Sequence, residues 1–504
     1  MSTYRRPNMK RTRNTHKVLP PRREFIRQRG AGNLEVLTMK RRLLRLIVST
    51  PQPLETAESE GFWNFVTAFT PSLEIPTKSV IRTQLLSVYK EKKDELRSIL
   101  PSADNMVLTC EAWSYRAEDS FLTVSCHFVD NLGKLRSYML STICLFGDQS
   151  ADNIENHLCA IMEDWGLKEK VHCVVSAILP KLKGVRKNWM DMPCFADTVD
   201  MIFKDLMRED ELSGVFRKCQ NMVRFFKLDP EAEEKLREIQ IKLNKIEGEL
   251  SLSCGDHWLL WLDMLEGLIK QSDTMGMVCA QKMKTDLILD KNDTEKVKSI
   301  ISALTPLKTA MSIMERRGFQ SVSVVLPLLR TFMGGLKEEE ERGNHVAKML
   351  LSKCKKEFGN ISNHSMAVFT FLDPRYKNKL GEQNKAGAVK KIRQELIEFQ
   401  TPCSAADLDD LLARYMAYTP TSDTSNPFAW WRHTGKTMFG GLSMLALKKL
   451  GVVSTAVPLE RAFSGAGERF CNQRSAIELE NLNMILFLNS NWPAMSQKQP
   501  SGCL

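Results

Sequence analysis

Val107-Leu108-Thr109-Cys110-Glu111-Ala112-Trp113, followed by Phe121-Leu122-Thr123-Val124-Ser125-Cys126-His127-Phe128-Val129-Asp130, is the stretch whose reading decides the fold. β-Branched and aromatic residues crowd both runs, which favours extended chain. With a third run behind them, the pattern predicts strands over 106–113, 120–129 and 134–145, the second turning at Asp130-Asn131 and Gly133. Ile154, Leu158, Ile161, Met162 and Trp165 then recur at helical spacing, with Gly166 as the stop. His172-Cys173-Val174-Val175 reads as a short buried strand parallel to the first. This order, three strands, a helix and a strand, predicts an α/β layer over 104–205.

Outward from that layer the periodicity is helical. Phe62, Trp63, Val66 and Phe69, then Leu85, Leu86, Val88, Tyr89, Leu96 and Leu100, predict a helical lead-in over 61–103. Residues 206–420 repeat the pattern, as in Leu236, Ile239, Ile241, Leu243 and Ile246, or Leu259, Leu262, Leu265, Leu268 and Ile269, with Glu and Lys on the other faces. A last unit, 421–495, opens at Pro427-Phe428-Ala429-Trp430-Trp431. It continues through a helix bearing Leu442, Leu445, Ala446 and Leu450, and closes on Leu482-Asn483-Met484-Ile485-Leu486-Phe487-Leu488. That closing stretch is apolar nearly all round, so it demands burial on every side.

Bulk numbers agree with a multidomain globular chain: 504 residues, 43% apolar and 26% charged. No apolar run approaches the roughly 20 residues of a membrane helix, and the N-terminus has no apolar secretory core. Thirteen dispersed cysteines, none in a C-x-x-C pair, read as reduced thiols of the cytosol or nucleus. The net charge of +11 is concentrated at one end, since residues 1–47 hold 14 Lys/Arg against 2 Asp/Glu. Residues 1–60 are therefore expected to be a basic, unfolded arm. Its Arg5, Arg6, Lys10, Arg11, Arg13, Arg22 and Arg23 are candidate phosphate contacts or a nuclear-import signal. A solvated leader and a mitochondrial presequence remain open alternatives, because both share that composition.

The strand pair above, together with Val457-Pro458-Leu459-Glu460-Arg461-Ala462-Phe463-Ser464-Gly465-Ala466-Gly467, resembles the hAT superfamily of transposases and the zinc finger BED domain-containing proteins descended from them. Gly61-Phe62-Trp63, His257-Trp258, Phe371-Leu372-Asp373-Pro374-Arg375-Tyr376-Lys377, Trp430-Trp431 and Arg474-Ser475 extend the resemblance over about 61–492. The fold it implies is α/β plus all-α: an RNase H-like core interrupted by a large helical insertion, with a hAT C-terminal dimerisation region completing the core. The implied partner is a second copy of the chain. Candidate dimer residues are Trp430, Trp431, Leu442, Leu445, Phe463, Ile485, Leu486 and Leu488.

Such enzymes cut DNA with two divalent ions held by three carboxylates. The first acid position, in a Leu-Thr-x-Asp-x-Trp setting, holds Glu111. The second, in a Val-Val-Thr-Asp-Asn setting, falls in Val174-Val175-Ser176-Ala177-Ile178, where Ala177 replaces the aspartate. Glu460 matches the third. The relatives' Cys-x-Ala-His-x-Leu-Asn becomes Cys194-Phe195-Ala196-Asp197-Thr198-Val199-Asp200. Asp191, Asp197 and Asp200 are read as solvated surface acids rather than replacement ligands. Trp258 is either a base-stacking residue or an ordinary core aromatic. Residues 1–60 contain no cysteine and one histidine, so no zinc finger precedes the core.

The resulting expectation is a domesticated, catalytically inactive protein with no metal or other cofactor. It would be nuclear (alternatively cytoplasmic), dimeric, and bound to DNA through the arm or to nuclear protein partners.

Overall fold

The computed structural model describes residues 32–69, 75–116, 119–146, 150–177, 189–244, 257–312, 319–359, 365–398, 405–458 and 477–496. Three long strands, β1 (Met106–Arg116), β2 (Asp119–Val129) and β3 (Leu135–Cys144), form an antiparallel meander. Helix α4 (Ala151–Asp164) leads to β4 (Val171–Ser176), which returns parallel to β1, and β5 (Met190–Pro193) lies parallel to β4. The five-stranded sheet has the order β3-β2-β1-β4-β5. The expected strands and helix are present, and β5, which the sequence reading omitted, closes the far edge.

Local chemistry explains these boundaries. Ser150 caps α4 by accepting the Asn153 N–H at 3.3 Å, and Gly166, at φ +64°, ends its last turn as anticipated. Asp130 organises the β2–β3 turn: Oδ1 accepts the Leu132 and Lys134 N–H groups, and Oδ2 accepts Arg136 Nε at 2.7 Å. Gly133 has φ +68° and no room for a side chain, since a Cβ there would stand 2.9 Å from the Ala429 backbone.

One face of the sheet is covered by α1 (Gly32–Ser49), α3 (Lys78–Ile99), α4 and the C-terminal helix α18 (Leu479–Ser496). Leu43, Leu44, Ile47 and Val48 of α1 are buried there. The basic arm expected over 1–60 is thus corrected from Gly32 onward: α1's apolar stripe docks on α3 and α18, which a free arm could not do. Arg5 through Arg23 lie outside the described residues. Between α1 and α3, the short α2 (Glu60–Phe69) leaves Trp63, Phe65 and Phe69 exposed.

The other face carries the helical region: α5 (Phe195–Met207), α6 (Asp210–Leu228), α7 (Pro230–Lys242), α8 (Trp258–Gln281), α9 (Lys291–Ser312), α10 (Val325–Glu341), α11 (His345–Phe358), α12 (Ser365–Leu372), α13 (Glu382–Glu398) and α14 (Ala405–Ala417). Its core is continuous with Val107, Cys173 and Val175 of the sheet. Then come α15 (Pro427–Trp430), a π-turn (Trp431–Gly435), α16 (Lys436–Phe439) and α17 (Gly441–Leu450).

The Phe371–Lys377 motif is the joint between these last helices and the rest. The Leu372 carbonyl accepts Trp431 Nε1 at 2.7 Å, and the Phe371 carbonyl accepts Tyr415 Oη at 3.0 Å. Buried Asp373 takes Ser323 Oγ at 2.7 Å and both Nε and Nη2 of Arg375. Lys377, also buried, donates to the Tyr415, Met416 and Tyr418 carbonyls at the end of α14, over the Tyr415 ring. Burial, with Lys385 nearby, pushes its pKa down to about 8.

α18 satisfies its all-round apolar surface within its own chain. Ile485, Leu486 and Leu488 are buried against β3, α3 and α1. Its asparagines serve the outer edge of the sheet: Asn491 both donates to the Met139 carbonyl (2.8 Å) and accepts the Met139 N–H (2.9 Å). Asn483 accepts the Thr142 N–H at 2.8 Å, and Asn489 donates to the Val48 carbonyl at the end of α1. Of the dimer candidates, Trp431, Leu442, Leu445, Ile485, Leu486 and Leu488 are buried within one copy, and Trp430 is half-buried among Tyr415, Tyr418 and Phe439. Phe463 lies outside the described residues.

Among the described residues the cysteines named as free include buried Cys110, Cys126, Cys173 and Cys194, and no helix is long and apolar enough to cross a membrane.

Candidate functional site

The last parallel pair between β1 and β4 is Cys110 with Ser176, and Glu111 and Ala177 are the next residues along the two chains. Alternation places Glu111 on the face of Val107, toward the helical region. Trp113 flanks Glu111, stacked on Phe121 at 4.6 Å and bonded through Nε1 to Thr123 Oγ1 at 2.9 Å. A polar ladder runs across the same face: Thr109 Oγ1 to His127 Nε2 at 3.0 Å, and His127 Nδ1 to Ser137 Oγ at 2.8 Å. Burial pushes the His127 pKa down to about 3, so this imidazole is neutral and structural.

The C-terminal segment reaches the same end of the sheet. The Phe195 N–H donates to the Ser454 carbonyl at 2.9 Å, Ser454 N–H to the Gln320 carbonyl at 2.8 Å, and Ala456 N–H to Cys194 Sγ at 3.2 Å. Glu460 and Arg461 lie outside the described residues.

Asp197 stands near Glu111, and the reading of Asp200 as solvated is corrected. Asp200 is buried: Oδ1 accepts the Trp258 N–H at 3.2 Å, and Oδ2 stands 2.9 Å from His257 Nδ1. Nδ1 meets no hydrogen-bond geometry, so the contact is an ion pair rather than a directed bond. Burial works against a charged His257, yet Asp200 and then Asp197 outweigh it and raise its pKa. Asp197 keeps exposed surface, but its carboxylate is desolvated and faces Asp200 and Glu111, which together raise its pKa. Asp191, on β5, aligns with Val174 of β4, on the sheet face opposite Glu111, and accepts Trp189 Nε1 at 3.2 Å. Sequence reasoning missed this cluster because Asp200 was judged by its residue type. Its place on α5 between buried Val199 and Ile202 was the available signal.

A pair of divalent ions needs oxygen from both adjacent strands. Ala177 supplies none, and among the described residues no group of three or more His, Cys, Asp or Glu is placed to hold a metal ion. These residues do not fit the pair. Trp258 is buried at the start of α8.

Two family models match these regions: the ZBED1 RNase-like domain over residues 109–178, and the hAT family C-terminal dimerisation region over residues 407–492. The chain is hAT-transposase-like. It is 23% identical to zinc finger BED domain-containing protein 4 of Homo sapiens over 90% of this chain and 43% of that protein. It is 21% identical to zinc finger BED domain-containing protein RICESLEEPER 2 of Oryza sativa subsp. japonica, over 68% of this chain and 50% of that one. A sequence named as an AC transposase in Zea mays is 21% identical over 92% of this chain and 66% of its own length. The chain thus spans between two fifths and two thirds of the length of these relatives.

Proposed function

We propose that this chain is a domesticated hAT transposase-like protein that has lost strand cleavage and acts by binding, as a dimer, in the nucleus. What supports it is Ala177, directly after the Cys110–Ser176 pair that precedes Glu111, where a cleaving site requires a second carboxylate. The strand order β3-β2-β1-β4-β5, with α4 crossing to a parallel β4, supports an RNase H-like core, and the helices between β5 and α15 support an insertion within it. Matching the hAT dimerisation model supports self-association. The charge of residues 1–31, 10 Lys/Arg against 1 Asp/Glu, supports a DNA-contacting arm.

The test is cleavage of a labelled duplex carrying a nicked or free end, in Mg²⁺ or Mn²⁺. No product is expected. Metal-dependent product that vanishes in Glu111→Gln and Glu460→Gln would establish a working nuclease instead. A second reading, a protein-interaction scaffold that never touches DNA, is favoured by the burial of Trp258. Duplex binding that weakens with salt and is lost on deleting residues 1–31 would reject the scaffold.

A further inference from the structure

At the end of the sheet opposite Glu111 lies a cavity of about 360 Å³, a size within the range of small-ligand sites. The loop before β1, the β2–β3 turn, the π-turn and α17 border it. Five charged side chains line it: Asp104, Asp130, Arg136, Arg432 and Lys448.

The two acids do not neutralise it. Asp130 is fully occupied by two backbone N–H groups and Arg136, and Asp104 sits exposed at the rim. Arg432 is under-used. Among the described residues its guanidinium makes one long bond, Nη2 to the Val129 carbonyl at 3.4 Å, and its Nε has no partner. Its Nε is buried away from solvent, so an oxyanion in the cavity would meet the Nη end, where a charge-assisted bond is stronger than the long one to Val129. Lys448 is partly desolvated and stands near Lys449, which together hold its pKa below the ordinary lysine value. Glu395 already offsets part of that cost, and further negative charge would offset more. Leu132 and Met444, 69% and 75% exposed, add apolar surface to the lining.

We propose that this cavity binds a small ligand bearing an oxyanion, a phosphate or a carboxylate, on a compact organic body. Arg432 grips the oxyanion, Lys448 adds charge, and Leu132 with Met444 contact the body. An open, concave cleft of about 360 Å³ suits a small molecule better than the long, even surface of a duplex backbone.

The test is calorimetric titration of the full chain with inorganic phosphate and, separately, succinate. Saturable one-to-one binding of either is expected, and the preferred anion tells phosphate from carboxylate. Arg432→Gln should weaken it by about tenfold or more, the loss of one charge-assisted bond. Because Arg432 also holds Val129, a second variant is needed. Met444→Glu puts a carboxylate at the cavity from an exposed position, and should weaken binding similarly without moving the thermal midpoint. Absence of saturable binding by both anions overturns the proposal. So does binding that Met444→Glu leaves intact, or a short duplex that displaces phosphate and binds there more tightly than either anion.

Discussion

Asn491 grips both backbone groups of Met139: its side-chain nitrogen donates to the carbonyl and its oxygen accepts the N–H. A helix thereby does for β3 what a sixth strand would do. An open edge invites pairing with another chain, and a covering helix with amide side chains prevents it. Asn491→Ala should leave two buried backbone groups unmatched and cost about 1–3 kcal/mol. Urea unfolding reads the loss, and light scattering should show increased association through the bared edge. An unchanged urea midpoint would remove this role from Asn491.

Asp200 binds the first turn of α8 through the Trp258 N–H and faces His257. Asp200→Ala is expected to destabilise the fold by about 1–3 kcal/mol, as for a lost helix cap and a buried polar contact. Asp200→Asn should retain much of that, since its amide oxygen still accepts the N–H. Equal losses in both variants would show that charge, not the cap, is what matters.

Trp258→Ala should cost about 3–5 kcal/mol as a core deletion, with Trp258→Phe milder. Neither substitution should alter duplex affinity per folded molecule. Selective loss of DNA binding with stability unchanged would give Trp258 the base-stacking role.

Two imidazoles make stability sensitive to acid. Burial pushes His127 to about 3 and His172 to about 4, below the ordinary value near 6.5. In that window the unfolded chain binds more protons than the folded one, so stability falls as pH drops from about 6.5 toward 4. His257 acts with opposite sign, because its pKa is raised: its contribution is present at low pH and lost as pH rises through the folded value. The urea midpoint measured from pH 7 to 4.5 should decline. His127→Gln should flatten that decline.

Manganese should leave the thermal midpoint of the unsubstituted chain unmoved, since a ligand stabilises only what it binds. Ala177→Asp restores a carboxylate at the second acid position, and the midpoint should then rise with added Mn²⁺. A rise already present in the unsubstituted chain would mean that other oxygens hold the metal.

The sheet was readable because each strand advertises its period. β1 to β4 alternate or run apolar, and the Asp130–Gly133 turn and Gly166 punctuate them. β5 was not readable: Met190–Pro193 is too short for alternation to register. The vacancy at Ala177 could be placed only through family resemblance, because an alanine carries no pattern. Periodicity also does not say whose surface covers an apolar face. That is why the helix holding Ile485 and Leu488 pointed to a second copy, although β3 and α3 already surround it. Asp200 was misjudged for the same reason, its surroundings being supplied by His257 and Trp258 from a distant segment.

The pairing of Asn491 with Met139 spans 352 residues of chain. During synthesis at about 5–20 residues per second, β3 therefore waits roughly 20–70 s for its cover to be translated. Throughout that interval the nascent sheet is vulnerable to joining its neighbours on the same messenger. A premature stop codon anywhere before α18 would make that vulnerability permanent, converting an otherwise well-packed product into a substrate for chaperones and proteases.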